Sequence, residues 1–393
     1  MGLADNVYGQ KITEEKSVYA NSTSESMENQ RFQELLEAFL VEYSLQKNLP
    51  IASLRQVFDD VVVQTTARQY VAPPSGVKAK KNWLKYRQNT MHPTRISAGQ
   101  KFWQEYPLYL SELEKKYQVP AEIIVGILGV ETIYGKNMGN FPARDVLATL
   151  AFNYPEAPNK AAREILFRNQ LASLINFCSL SESLDNPPNF KTCLKQPSSF
   201  AGAIGMPQFM PSSLLQFATD GNSDGIIDIR NSPEDAMASI ANFLVQHGWV
   251  ANQPILLPVE NNSLALKNIL DIADGDPNPK WTLSQLIEKH ILKKLPTGLS
   301  PDTPALIVDL PIIESNNKES TSYWIGLKNF EVITQYNRSF FYAMSVTEFG
   351  YQVGTIVGNT LSNPAQASTL NSAIQEKLPL TNNDHHGHRR RIR

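Results

Sequence analysis

Residues 121–135 read AEIIVGILGVETIYG, and this stretch decides how the chain folds around its candidate chemistry. Pro120 precedes it, in a place where a missing N–H costs a helix little. Ile124, Ile127 and Leu128 lie seven, four and three residues before Glu131. Those spacings stack on one helix face, so Glu131 is expected on the apolar stripe. Glu122 is the contrast, a first-turn carboxylate favoured by the helix dipole. A carboxyl against apolar walls loses solvation of its charged form, which raises its pKa and suits a general acid near neutral pH. The competing reading is a buried Glu131 paired with an arginine such as Arg144 or Arg163.

Outward from this helix the chain is mainly helical. RFQELLEAFLVEYSLQ (31–46) places Phe32, Leu35, Leu36, Phe39, Leu40 and Tyr43 on one face. Further helices are expected at Leu54–Val63, Ala98–Tyr117, around Lys160–Phe177, over PEDAMASIANFLVQHGW (233–249) and at Arg338–Val357. After Trp249 short apolar runs (PILLPV, ALIVDLPII, YWIGL) lie between Pro, Asn and Asp clusters and read as strands, with a short helix near Leu283–Leu292. The expected class is therefore mainly α (α+β).

The 393 residues, 42% hydrophobic, can bury a sizeable core, and 36 basic against 38 acidic residues leave a net charge of −2. That balance favours neither nucleic acid nor an anionic membrane. No apolar run reaches the ~18 residues of a membrane span. The N-terminus lacks an apolar export core, so the chain is either cytoplasmic or a mature or truncated form whose signal was removed. The tail HHGHRRRIR (385–393) reads as solvated, with metal or envelope attachment as the alternative. Cys178 and Cys193 flank a polar, Pro-rich stretch; they can close a loop in an oxidising compartment or remain two buried thiols.

Three further segments carry candidate chemistry. SSFAGAIGMPQFMPSS (198–213) presents Ser199, Gln208 and Ser212 beside aromatics, as a sugar site does; a tight helix crossover explains its glycines and prolines equally well. QYNRSFFYAMSV (335–346) supplies Tyr336, Asn337 and Tyr342, readable as sugar-binding groups or as core and cap residues. In ATDGNSDGIIDIRNSPED, Asp220, Asn222, Asp224 and Gly225 match the start of a calcium loop. Ile226 would add its carbonyl and Asp228 sits at position 9. Asn231 replaces the usual bidentate Glu, so closure falls to Asp235 or Glu234. An Asx-rich turn is the alternative.

Together GVETIYGKNMGNFPARDVLATLAFNYP, SSFAGAIGMPQFMPSS, the acidic loop and NFEVITQYNRSFFYAMSV resemble the lytic murein transglycosylase B family across roughly residues 35–360. The resemblance implies a lysozyme-like helical core, an N-terminal helical domain and a small β-containing domain. On that pattern the expected divisions are a loose segment 1–30, a helical domain 31–106, a catalytic core 107–250, a β-containing domain 251–320, a return to the core at 321–362 and a tail 363–393. It implies cleavage of the β-1,4 bond between N-acetylmuramic acid and N-acetylglucosamine in peptidoglycan, without water, leaving 1,6-anhydro ends. Glu131 then serves as acid and base. Ser199, Gln208, Tyr336, Asn337 and Tyr342 become groove residues, and Phe243 stands where the family can place a tyrosine. Asp220, Asn222, Asp224, Ile226, Asp228 and Asp235 become a structural calcium site.

Glycan strands, and other cell-wall enzymes, are the implied partners, and the periplasm or cell envelope is the implied compartment. The sequence departs from the family at the extra residue before Asp235, at Ile133-Tyr134, and at 179–195, which reads as an inserted lid or partner surface. The alternatives are a lysozyme-type muramidase, for which Asp145 is the nearest second carboxylate, an inactive glycan-binding scaffold, and a calcium sensor.

Overall fold

The computed structural model describes residues 27–74, 76, 80–181 and 187–358. The expectations for 1–26 and for the basic tail lie outside the described residues. Residues 27–30, expected to be loose, already belong to a helix at 27–47.

The chain divides into two compact units, 1–79 with 131–243 and 80–130 with 244–393. In the first, the helix Ala143–Phe152 is the hub, and all ten of its residues are buried. Phe32 and Phe39 of the first helix meet Phe152 at ring distances of 6.3 and 5.7 Å. The helix Lys160–Ser181 lies along the hub. Arg144, fully buried within the hub, donates to the Val57 carbonyl and pairs with Asp145 and Asp60, both at 2.8 Å. Cys178 and Cys193 form a disulfide with Cα atoms 5.8 Å apart.

Part of the expected lid at 179–195 is a helix, Pro187–Leu194. It is pinned to the helix Ile51–Phe58 and its end: Phe190 is buried, Lys191 reaches Asp59 at 2.6 Å and Lys195 reaches Asp60 at 2.5 Å.

The second unit carries a four-stranded antiparallel sheet in the order Leu256–Pro258, Glu319–Gly326, Pro304–Ile313, Trp281–Thr282. Its core joins Ile307 and Ile325 to Ile269, Leu283 and Leu286 of two short helices, Ser263–Leu270 and Leu283–Glu288. The three apolar runs read as strands are strands. The helix expected at Ala98–Tyr117 is two, Pro93–Glu105 and Pro107–Tyr117, because Pro107 lacks an N–H and its ring clashes with the preceding turn.

The helix Phe340–Ile356 crosses the start of the helix Ala121–Thr132 at very close range. A Cβ on Gly350 would collide with the Glu122 carbonyl, so only glycine permits this crossing. Among the described residues no helix is long and apolar enough to cross a membrane.

Candidate active site

Of the two carboxylates of the helix Ala121–Thr132, the first-turn Glu122 is the more deeply buried. Glu122 is fully buried, against Gly354 and Trp103, while Glu131 is half-buried at the last turn. A first-turn carboxylate is favoured by the dipole wherever it sits, but its solvent exposure is set by whatever packs on that turn. Here a distant helix covers it. The proposed arginine partners are engaged elsewhere: Arg144 with Asp60 and Asp145, and Arg163 on an exposed face.

The last turn before Glu131 is held from outside the helix. The Arg95 guanidinium donates to the carbonyls of Gly129 and Val130, the latter at 3.0 Å. The final carbonyls of a helix have no partner within it, and a cation there also complements the dipole.

Directly after Thr132, which ends the helix, the backbone turns left-handed for three residues, with φ of 53° at Ile133, 57° at Tyr134 and 85° at Gly135. A non-glycine residue in that region costs roughly 1–2 kcal/mol and persists only where its surroundings enforce it. Thr132 does the enforcing. Its buried hydroxyl donates to the Met206 carbonyl at 2.9 Å and accepts the Gly135 N–H at 2.9 Å, while its own carbonyl accepts the Asn137 N–H at 2.9 Å.

Met206 lies in the loop 198–209, which is cross-braced. Ile204 and Phe209 exchange backbone hydrogen bonds of 2.8 and 3.0 Å. The Ser199 hydroxyl accepts the N–H groups of Ala201 (3.3 Å) and Ala203 (3.0 Å). Gln208, itself left-handed at φ 53°, donates its amide to Met138 (3.3 Å) and Gly205 (2.9 Å) carbonyls. Short strands Phe141–Pro142 and Pro197–Ser198 pair beneath it. Ser212 exchanges hydrogen bonds with the Gln170 amide, both at 3.0 Å. Phe243 is buried, with its ring 5.8 Å from Phe209 and 4.9 Å from Phe217. It supports the loop from below.

Glu131, Ser199, Gln208 and Phe243 thus belong to the first unit, and Tyr336, Asn337 and Tyr342 to the second. There the rings of Tyr336 and Tyr342 stack at 6.2 Å and 13°. Tyr342 is buried, Tyr336 half-buried, and Asn337 exposed where it ends the helix Lys328–Tyr336.

The acidic loop is organised around Asp235, which is fully buried. Its carboxylate accepts the N–H groups of Gly221 (2.8 Å), Asn222 (3.4 Å) and Asp228 (2.7 Å). Asp220 accepts from Asp224 and Gly225, Asp224 from Ile226, and Asp228 from Arg230 and Asn231. The donor set is all oxygen, as a hard cation asks. Among the described residues, however, no three acidic, His or Cys side chains converge as metal ligands do; the carboxylates are turned to loop N–H groups. The loop's exit is tied to the site above: the Met206 N–H donates to the Ile229 carbonyl at 3.0 Å. A Cβ on Gly205 would stand 2.7 Å from that same carbonyl.

Thr132 and Arg95 escaped the sequence reading. A hydroxyl directly after an acid on an apolar helix is a signal for Thr132, since a buried hydroxyl needs partners. Nothing local marks Arg95.

A model of the transglycosylase SLT domain matches residues 31–351. Over 283 residues the chain is 36% identical to the membrane-bound lytic murein transglycosylase B of Escherichia coli (strain K12), covering 72% of this chain and 70% of that one. The soluble lytic transglycosylase SltB1 of Pseudomonas aeruginosa superposes with a TM-score of 0.69 at 32% identity, over 82% of this chain and 99% of that one. The E. coli lytic transglycosylase Slt35, solved in complex with calcium, gives 0.65 at 30% over 81% and 92%. SltB3 of P. aeruginosa, solved with NAG-NAM-pentapeptide, gives 0.65 at 25% over 84% and 81%. The mainly helical fold with its small sheet is that of these lysozyme-like proteins.

Proposed function

The chain belongs to the transglycosylase SLT domain family, the lytic murein transglycosylases, and from that premise we propose that Glu131 is its single acid and base. The carboxyl protonates the oxygen linking N-acetylmuramic acid to N-acetylglucosamine, and the bond to the anomeric carbon breaks. The carboxylate so formed then takes the proton of the muramic 6-hydroxyl, whose oxygen closes on the anomeric carbon. The product end is a 1,6-anhydro ring, and no water enters. Positioned acid–base transfer of this kind is worth ~10²–10⁴-fold in rate.

The observation that carries the reading is how the end of this helix is held. Arg95 caps the turn before Glu131 and Thr132 locks the strained turn after it, so the carboxyl is held half-buried on a fixed backbone. Catalytic groups need such pre-organisation. A muramidase would need a second carboxylate across the bond. Asp145, the nearest in sequence, is buried and ion-paired with Arg144, which argues against that alternative.

Ser199 and Gln208 shape the groove floor, and Tyr336, Asn337 and Tyr342 supply phenol and amide contacts to the sugar. The acidic loop would hold a structural calcium through Asp220, Asn222, Asp224 and the Ile226 carbonyl, with Asp228 and Asp235 closing it; the cation takes no part in the reaction. The substrate places the protein in the bacterial cell envelope.

Mass spectrometry of peptidoglycan digests tests the assignment. Wild type should release anhydro-muramic ends. Glu131→Gln should release nothing while remaining folded. Reducing ends from wild type, or undiminished cleavage by the variant, would refute it.

A further inference from the structure

The second unit holds a cavity of about 270 Å³ that none of the residues discussed above fills. Asp309 lines it from the strand Pro304–Ile313. Side chains alternate along a strand, and Leu306, Val308, Leu310 and Ile312 are all buried in the fold, leaving Asp309 on the other face with Ile307 and Pro311. A carboxylate directed inward from a sheet is costly without a partner. Asp309 Oδ1 is buried and meets no donor among the described residues. Burial pushes this carboxyl up, with Lys81 opposing.

Two cations line the same cavity, Lys81 and Arg338. Lys81 forms no ion pair among the described residues, yet its position is fixed. Its neighbour Lys80 pairs with Glu319 at 2.5 Å, and Asn82 bonds both the carbonyl (2.9 Å) and the N–H (3.3 Å) of Ile313. Arg338 approaches Asp276 at 3.4 Å but is otherwise exposed. Phe340 and Phe341 form an apolar wall, and Phe341 is braced edge-on by Trp83 and Tyr86. Arg338 follows Tyr336 by two residues, so its backbone lies within about 8 Å of a proposed sugar contact.

The cavity therefore offers an acid with one unsatisfied oxygen, two cations and an aromatic wall. An uncharged saccharide could donate hydroxyls to Asp309 but would bring no counter-charge to Lys81 and Arg338. A phosphate would meet repulsion from Asp309 and Asp276. A zwitterion satisfies both signs at once. We propose that this cavity is a subsite for the peptide stem of murein, with an ammonium group set against Asp309 and a carboxylate between Lys81 and Arg338. The inference rests on murein being the substrate and does not depend on Glu131 being the acid.

The probe is N-acetyl-L-Ala-γ-D-Glu-meso-diaminopimelate, whose one free amine is that of diaminopimelate, titrated by calorimetry against the whole protein, beside the same peptide with that amine also acetylated. Wild type and Glu131→Gln should bind the tripeptide alike. Acetylation, Asp309→Asn and Arg338→Ala should each weaken binding by about ten-fold or more. In kinetics, both variants should raise KM for peptide-bearing glycan, with kcat unchanged and with peptide-stripped glycan cleaved as by wild type. Arg338 is exposed, so its variant reads the site even if Asp309→Asn disturbs the sheet. Absent tripeptide binding, indifference to acetylation, or equal changes on both glycans overturns the subsite. Continued cleavage by Glu131→Gln removes the acid assignment and leaves the subsite standing.

Discussion

The Thr132 hydroxyl and the Met206 carbonyl, 74 residues apart in sequence, meet at 2.9 Å in a buried position. That one bond ties the turn after Glu131 to the loop bearing Gln208. Thr132→Val keeps the shape but strands the Met206 oxygen and the Gly135 N–H. An unsatisfied buried group costs about 1–3 kcal/mol, so the urea midpoint should fall and kcat should fall with it. Thr132→Ser restores the hydroxyl and should recover both. A valine variant with wild-type midpoint and rate would deny the bond its role.

The disulfide Cys178–Cys193 closes a loop of 15 residues. On the chain-entropy model such a loop contributes about 3 kcal/mol by restricting the unfolded chain. A Cys193→Ser variant, or wild type under reductant, should unfold at lower denaturant by up to that amount. Equilibrium unfolding with and without dithiothreitol measures it, and coincident curves would contradict it.

Asp60 sets a limit on acid tolerance. Burial alone would raise its pKa, but hydrogen bonds from Lys195, Lys191 and Arg144 outweigh that and hold the carboxyl well below the usual range. A carboxylate with a depressed folded pKa stabilises above its unfolded value, near 3.9, and that stability is lost as pH falls through the folded pKa. Stability should therefore decline below about pH 4. Asp60→Asn should be less stable at neutral pH and flatter through that acid range. Parallel wild-type and variant curves in a pH series of thermal melts would count against it.

Calcium, if it occupies the acidic loop as proposed, stabilises only the folded chain. At a hundred times the dissociation constant the gain is about 2.7 kcal/mol. A chelator should lower Tm in wild type and leave Tm of Asp224→Ala unmoved, with cleavage chemistry persisting in whatever protein stays folded. A chelator-insensitive wild-type Tm would refute the site.

Much of this was legible before any coordinates. The face of 31–46 follows from apolar spacing, and the strands from PILLPV, ALIVDLPII and YWIGL; the helix 121–132 was legible as a helix, but residues 121–129 are buried on all sides, not along one stripe. Two misreadings have physical causes. Pro107 sat inside a good apolar rhythm, and the rhythm masked the break. Glu122 read only as a first-turn acid favoured by the dipole, because its cover, Gly350 and Gly354, lies more than 200 residues away and leaves no local trace. Phe243 stood in the family's groove position, but its packing on Phe209 and Phe217 is a tertiary fact. The Asp309 cavity is likewise a product of folding, since Lys81, Asp309 and Arg338 share no motif.

Each compact unit is stitched from two separate stretches of chain, with one seam falling between Val130 and Glu131 inside a single helix. No contiguous gene fragment therefore encodes one unit without part of the other. A single-crossover chimera with a relative divides at least one hydrophobic interior wherever its junction falls, and a junction inside 80–243 divides both. Recombination that respects this architecture must exchange paired segments together, taking 1–79 with 131–243, or 80–130 with the remainder.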